Sequence, residues 1–560
     1  MKPVINMQTR SGRIRFSWGT GLAIGLLVPA IVVPLCLVIL NSLMVDGRFD
    51  PLTAMGVVLA PGVASVLKNT LLLGLLVVAG ATAVAFPMAY LAAKTEIGER
   101  RWLDVLIIVP FMTPPYIGSM GWILFMQPRG FMEQLAPWAS SLTPHFFSLG
   151  GLVAIMSFHL YPFLYLMLRN SIQRIGQGYE EAGMLHGGGF GYRLRRIVVP
   201  LLFGSYLMGA LLVFVKTIAE FGTPATFGRK IGFYVLTTEI HRLTSSWPID
   251  FGKATALASI LMTSSLTVWY LQSLMSRKFH YQTLGGKGLR TRPARLGVGG
   301  KVLGWGYVGL VLLLSIGVPY FSIIVASLQK LRGDGLAWGN FTLDHYARLL
   351  SWGSPGFKAL TNSIGLALLA ATIAAVIGTF LALQIRGSAT RGQKTADMFS
   401  LLPNTVPGIV IAVGLVLFWN AKWMPIPLYN TYGMAVLTYV VFFLPYTVQY
   451  VKSSFSQLDD KLFQAGKVYG GTEWYIFRRI ALPLILPGIL AGWMMTFTIS
   501  ARELVASLML LPPSMHVSAT YIFSQFEQGE VSMGMAMAVL TVGLTTVVLV
   551  IMNQLESYRK

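Results

Sequence analysis

Four ionisable residues sit inside long apolar stretches of this 560-residue chain: Lys216, Glu220, Arg502 and Glu503. Charge within hydrocarbon is costly, and by default it marks an ion, proton or substrate path. Glu220 follows Pro200 by twenty residues, and Glu503 follows Pro483 by the same twenty. On a helix that separation is about 30 Å, so the two carboxylates are expected at equal depth, towards the outer side. Two readings stand. The carboxylates face a path, as gate or cation-facing groups whose oxygens would suit a hard metal ion. Alternatively, Lys216 and Glu220, one helical turn apart, form a local ion pair that stabilises a helix bundle. Beyond this pair of glutamates no metal ligands are proposed.

A second constellation is built for contact rather than reaction. The segment Glu181-Ala182-Gly183, three residues, Gly187, nine residues, Ile197, one residue, Val199-Pro200 recurs as Gln464-Ala465-Gly466, three residues, Gly470, nine residues, Ile480, one residue, Leu482-Pro483. Each copy reads as a short helix, a glycine turn and a second helix that re-enters an apolar run. Glycine breaks the backbone there without a side-chain penalty, and proline is best tolerated near a helix start. The apolar positions with small Ala182 and Ala465 offer a face that could enter a groove on another protein. Arg193, Arg195 and Arg196, like Arg478 and Arg479, precede re-entry and read first as inside anchors, with partner contact as the alternative.

No Gly-x-x-x-x-Gly-Lys-[Ser/Thr] phosphate loop occurs, so the chain is not expected to bind or hydrolyse ATP. No His/Cys metal cluster or nucleophile constellation supports an enzyme. His159, Tyr161 and Tyr165 could line a polar path, although aromatic residues near a span end more often form an interface belt.

The elements that position these groups follow from composition. The chain is 54% hydrophobic and 11% charged, with a mean hydropathy of +0.65. About twelve runs reach the roughly 20 apolar residues a spanning helix needs: 18–44, 66–93, 104–126, 148–168, 198–222, 252–276, 304–328, 359–385, 396–419, 430–450, 481–510 and 531–552. The expected fold is an all-α polytopic membrane protein. The net charge of +22 would suggest nucleic acid for a soluble protein. With the N-terminus inside, however, about 29 Lys and Arg fall on cytoplasmic segments and about 10 outside, so the charge is a topology signal, no nucleic-acid partner is expected and both termini are placed in the cytoplasm. Lys2, Arg10, Arg13 and Arg15 belong to that signal. The first run is too long for a secretory signal and lacks a clear cleavage site. Cys36 is the only cysteine, which excludes an intrachain disulfide.

The runs repeat at an offset of about 280 to 290 residues. Pro34 and Ser42 match Pro319 and Ser327; Asn69-Thr70 match Asn362-Ser363; Pro110, Pro114 and Gly121 match Pro403, Pro407 and Gly414; Pro162 matches Pro445. Six spans per copy give both halves the same orientation, unlike an inverted repeat. Residues 1–276 form the first half with its loop at 181–200, and 304–560 the second with its loop at 464–483. Between them, 277–303 reads as a flexible, basic cytoplasmic linker, with lipid binding as a lesser reading.

The loop spacing resembles the EAA loop of the permease subunits of type I ABC importers, written E-A-A, three residues, G, nine residues, I, one residue, L-P. The resemblance covers nearly the whole chain, and it implies two parallel six-helix halves in a bacterial inner membrane. It implies that each loop is a coupling helix docked on one of two cytoplasmic ABC ATPase subunits. Those subunits hold the ATP and Mg, and a periplasmic binding protein delivers substrate to loops near 45–66 and 329–358. The departures are Gly183 and Gly466 in place of alanine, Gln464 in place of the acid, and Val199 in place of leucine. The fused layout, with Asn340-Phe341-Thr342-Leu343-Asp344-His345-Tyr346 and Ser500-Ala501-Arg502-Glu503-Leu504, looks most like iron(III) permeases. Phosphonate, thiamine and polyamine permeases are similar too. An ion-driven secondary transporter is the more distant alternative, and it leaves the duplicated loop unexplained.

Overall fold

The computed structural model describes residues 19–45, 48–52, 56, 60–278, 293–386, 390–425, 428 and 430–557. Lys2, Arg10, Arg13 and Arg15, and most of the basic linker, lie outside the described residues. Among the described residues the only sheet is a two-residue antiparallel pair, Met44–Val45 with Arg48–Phe49. The remaining elements are helical, as the apolar runs predict.

The first half comprises α1 (Gly19–Ser42), α2 (Pro61–Lys94), α3 (Arg101–Met112), α4 (Pro115–Met126), α5 (Leu149–Arg174), the short α6 (Gln177–Leu185), α7 (Phe190–Ala219), the short α8 (Gly222–Thr226) and α9 (Leu236–Ser245), and α10 (Phe251–Lys278). The second half repeats the order: α11 (Val298–Leu328), α12 (Pro355–Ile385), α13 (Arg391–Thr405), α14 (Gly408–Trp419), α15 (Tyr432–Ser456), α16 (Asp460–Val468), α17 (Glu473–Ser500), α18 (Val505–Leu510), α19 (Ser518–Gln528) and α20 (Val531–Ser557). Among the described residues, ten helices are long and apolar enough to cross a bilayer, or twelve if each bent pair counts as one span.

Those bends correct the expectation of uninterrupted spans at 104–126 and 396–419. The α3 and α4 axes meet at 92°, and those of α13 and α14 at 111°. The cause is local. Thr113 and Val406 each precede a proline, whose ring disfavours helical backbone in the residue before it. Both adopt extended conformations, at φ −80°, ψ 134° and φ −84°, ψ 135°.

Prolines also set four wide turns. Val33 donates its N–H to Val28, Val199 to Leu194, Val318 to Leu313 and Leu482 to Phe477. Each is an i to i−5 bond, and each donor directly precedes a proline: Pro34, Pro200, Pro319 and Pro483. Proline cannot donate to the carbonyl four residues back, and its ring crowds that carbonyl. A single π-turn relieves the crowding without ending the helix.

Contacts group the chain into two compact units that are discontinuous in sequence. One comprises Ile39–Gly356 with Tyr521–Leu540; the other comprises Met1–Val38, Phe357–Thr520 and Thr541–Lys560. The first thus contains α11, the opening helix of the second half, and the second contains most of α1. In the first unit a Cβ on Gly121 would lie 2.7 Å from the Pro319 carbonyl oxygen, and in the second a Cβ on Gly414 would lie 2.7 Å from that of Pro34. Each bent pair therefore closes, through a glycine, on the proline turn of the opening helix from the other half, backbone against backbone.

The core of the first unit runs along α2 and α5, from Leu73, Val77 and Ala81 to Leu160, Leu164 and Leu168. In the second unit Phe455, Phe463, Ile476 and Ile485 form a cluster at the foot of α15. The far end of the linker departs from the expected flexibility. Ala294 donates its N–H to the Lys94 carbonyl at 2.8 Å, Leu296 donates to Glu96 Oε1 at 3.2 Å, and Lys301 lies 3.1 Å from the same oxygen. The hydrogen-bonded Lys301 ammonium holds the Glu96 carboxyl below its ordinary range.

Candidate functional site

The two loops fold alike. α6 ends at Leu185, and Gly187 follows in the left-handed region at φ +78°; α16 ends at Val468, and Gly470 follows at the same φ of +78°. Gly188 donates its N–H to the Gly183 carbonyl at 2.9 Å, as Gly471 does to Gly466 at 2.9 Å. This is the six-to-one closure of a Schellman cap, and it requires a residue free of the Cβ penalty at the turn. The turn folds α6 back against the start of α7, and α16 against the start of α17.

That fold-back brings the motif's third position against its isoleucine. A Cβ on Gly183 would lie 2.8 Å from Ile197 Cδ1, and one on Gly466 would lie 3.0 Å from Ile480 Cδ1. An alanine at either position would therefore require the isoleucine's terminal methyl to turn aside.

The outward face is left bare. Glu181, Ala182, Gln464 and Ala465 are exposed. Around them Leu185 is 86% and Val468 83% exposed, and Tyr179, Met184, Leu462 and Tyr469 are also open. Contiguous apolar side chains of this kind mark an interaction surface. Arg195, Arg196, Arg478 and Arg479 are exposed beside it. A groove of about 650 Å³ runs along the second loop, lined by Leu462, Ala465, Tyr469, Tyr475 and Ile480 among others.

Sequence reasoning missed how the loops are held. Lys94, the last residue of α2, lies 2.8 Å from Glu180 of α6 and donates to the Ile175 carbonyl at the end of α5. Arg386, just beyond α12, donates to Asp460 of α16 at 2.7 Å and to the Leu458 carbonyl beyond α15. Lys94 and Arg386 look in the sequence like further inside anchors, and no spacing rule singles them out.

The two glutamates among the four intramembrane candidates sit just beyond their helices rather than within them. α7 stops at Ala219, so Glu220 is not within it. Its Oε1 and Oε2 accept the Thr223 N–H at 3.0 and 3.1 Å. α17 stops at Ser500, and Glu503 Oε1 accepts the N–H groups of Val505 at 2.9 Å and Ala506 at 3.3 Å. Each carboxylate caps the short helix that follows a break, α8 or α18, satisfying donors that would otherwise be orphaned. Among the described residues no ion pair joins Lys216 to Glu220, because the break turns Glu220 towards α8. Arg502 lies within electrostatic reach of Glu503.

The helices beyond the breaks are tethered by the residues that reveal the repeat. Asn69 donates to the Tyr234 carbonyl at 3.1 Å, and Asn362 to that of His516 at 3.0 Å. Thr70 Oγ1 accepts the Leu236 N–H at 2.9 Å, and Ser363 Oγ accepts the Ser518 N–H at 2.7 Å. The Asn-Thr and Asn-Ser pairs therefore supply caps for the first residues of α9 and α19 from a neighbouring helix.

Tyr161 and Tyr165 do not form an interface belt: both are wholly buried in the α2–α5 core. Among the described residues no three His, Cys, Asp or Glu side chains gather closely enough to hold a metal ion.

Comparison with known proteins agrees with the duplicated architecture. The family model described as a binding-protein-dependent transport system inner membrane component matches residues 85–281 and again 357–558. The Fe(3+)-transport system permease protein of Haemophilus influenzae is 27% identical over 500 residues, 87% of this chain and 88% of that protein. The ferric transport system permease protein of Actinobacillus pleuropneumoniae is 25% identical over 532 residues, covering 93% of this chain and 76% of the relative. The spermidine/putrescine transport system permease protein of H. influenzae is 29% identical over 238 residues, which is 42% of this chain and 90% of the relative.

Proposed function

The chain belongs to the binding-protein-dependent transport system inner membrane component family, and we propose that it is the fused permease of an ATP-driven importer whose two loops dock two separate ATPase subunits. It is a multi-pass membrane permease, and not itself an enzyme. The observation that carries the docking reading is the pair of loops with identical left-handed glycine turns and uncovered apolar faces. One such loop could be a packing accident, but two in register give a pair of ATPases two equivalent handles. ATP and Mg are held by those partners. Their closure displaces the loops and shifts the membrane helices from inward-facing to outward-facing, and hydrolysis resets them. Both termini and both loops lie in the cytoplasm, in keeping with the distribution of Lys and Arg. A binding protein delivers substrate to the segments near 45–66 and 329–358.

Ferric iron is the proposed substrate. The full-length relatives carry ferric transport in their names, whereas the spermidine/putrescine relative aligns over less than half of this chain. Specificity then rests mainly with the binding protein. Glu220 and Glu503 are proposed to place carboxylate oxygens beside the path. The test is uptake by proteoliposomes holding this chain, its ATPase and its binding protein, supplied in turn with ferric iron, spermidine, thiamine and 2-aminoethylphosphonate. ATP-dependent accumulation of iron alone is expected. Accumulation of another substrate with no iron uptake overturns the substrate, and accumulation without ATP overturns the importer.

A further inference from the structure

Each docking loop is fastened by one basic side chain that joins three elements. In the first unit Lys94 is 10% exposed and Glu180 is 16% exposed. Through its contacts with Glu180 and the Ile175 carbonyl, Lys94 binds the end of α2, the end of α5 and the loop helix α6. Tyr90, one turn back on α2, adds an edge-on contact with Phe190 beyond the glycine turn, with ring centres 5.7 Å apart. In the second unit Arg386 is 13% exposed. It binds the end of α12, the chain just past α15 and the loop helix α16, through Leu458 and Asp460. Its guanidinium also lies 4.5 Å from the Phe463 ring centre and 5.3 Å from that of Phe455.

The two knots are alike in topology and unlike in residues. Counted along the repeat, Glu180 corresponds to Phe463, which is wholly buried; the acid of the second loop lies one helical turn earlier, at Asp460. A packing accident inherited from a duplicated ancestor would place matching residues at matching positions. Here the accepting carbonyls, Ile175 and Leu458, do correspond along the repeat, but the acids stand at shifted positions and a lysine is exchanged for an arginine, and the same three-way join is rebuilt. The Lys94–Glu180 pair is withdrawn from water on both sides, and the Arg386–Asp460 pair on the arginine side, Asp460 being 38% exposed; separating either pair strands a basic group in a poorly solvated site, so the joined elements resist moving apart.

We propose that the Lys94–Glu180 and Arg386–Asp460 pairs are transmission ties. Each makes its loop helix move as one body with the ends of two membrane helices, so that displacement of the loop becomes movement of the bundle. The inference rests on the docking reading above and adds the residues through which force leaves the loop. These are positioning residues, because each acid is engaged by a basic side chain from a membrane helix end.

The experiment compares ATP hydrolysed per substrate imported in proteoliposomes for the wild-type complex and for Lys94→Met, Glu180→Gln, Asp460→Asn and Arg386→Met, with the amount of co-purified ATPase measured for each. The expected result is that ATPase retention and hydrolysis persist while import per ATP falls severalfold. Lys94→Arg, which keeps both the charge and the donors, restores the ratio. An unchanged ratio in complexes that assemble overturns this inference and leaves the docking reading standing. Loss of import strictly in proportion to lost ATPase retention also overturns it, since that is the signature of a purely structural join. If the wild-type chain retains no ATPase, both the docking reading and this inference fall.

Discussion

Replacing Gly121 or Gly414 by alanine tests whether the bent pairs close on the opening helices. An alanine Cβ at 414 would lie 2.7 Å from the Pro34 carbonyl oxygen and 2.9 Å from its carbon; at 121 it would lie 2.7 Å from the Pro319 oxygen and 2.9 Å from its Cα. These are main-chain atoms, so no rotamer change makes room. Ordinary van der Waals contact begins about 0.7 Å farther out, and one helix must retreat by that amount. Overpacking of this kind costs about 1–3 kcal/mol, against a gain of about 1 kcal/mol from replacing glycine within a helix. Gly118 supplies the control. It lies on the same helix α4, and a Cβ there meets nothing within 4 Å, so Gly118→Ala receives the gain without the clash. Thermal stability in mild detergent and uptake in proteoliposomes are the assays. Gly121→Ala and Gly414→Ala should each fall below Gly118→Ala in both, with a stability gap of about 1–3 kcal/mol. If Gly121→Ala and Gly118→Ala match in both assays, the close approach to Pro319 is refuted.

Alanine at Gly187 or Gly470 meets open space, so its cost is purely that of a left-handed backbone, about 1–2 kcal/mol; reduced ATPase retention with normal membrane insertion is the expected readout. Glu220→Gln with Glu503→Gln keeps an oxygen to accept the capping N–H groups and removes only the charge. Uptake should fall while assembly persists, and full uptake would leave these carboxylates as caps alone. Asn69→Ala with Asn362→Ala removes one hydrogen bond from each tether, about 0.5–1.5 kcal/mol apiece. Faster limited proteolysis between 228–235 and 511–517 is expected, and an unchanged cleavage pattern would contradict the tethering role.

Much of this architecture is legible in the residues because it is local. The apolar runs give the helices, and the duplicated loop spacing gives the two glycine turns, since a left-handed residue after a helix nearly demands glycine. Pro114 and Pro407 stand in register, but whether a proline kinks a span or turns it by 92° and 111° depends on what packs beside it. Glu220 and Glu503 illustrate another limit. The hydropathy pattern runs on past Ala219 and Ser500, so the breaks leave little trace beyond Gly222, and a capping carboxylate looks like a path-lining one. Lys94 and Arg386 are hidden because any basic residue at a span end satisfies the topology rule. The placement of α11 with the first half's helices, and of most of α1 with the second's, has no local signature at all. It becomes visible only when Gly121 is found against Pro319 and Gly414 against Pro34.

The most direct measurement is site-directed crosslinking from the exposed loop faces. With Cys36 replaced by serine, cysteines introduced at Ala182 and Ala465 should each capture an ATPase subunit, and the yield should change when ATP analogues close the ATPase pair. Adducts from both positions are expected. Failure of both cysteines to reach any nucleotide-hydrolysing partner, in membranes where the transporter is active, would contradict the account.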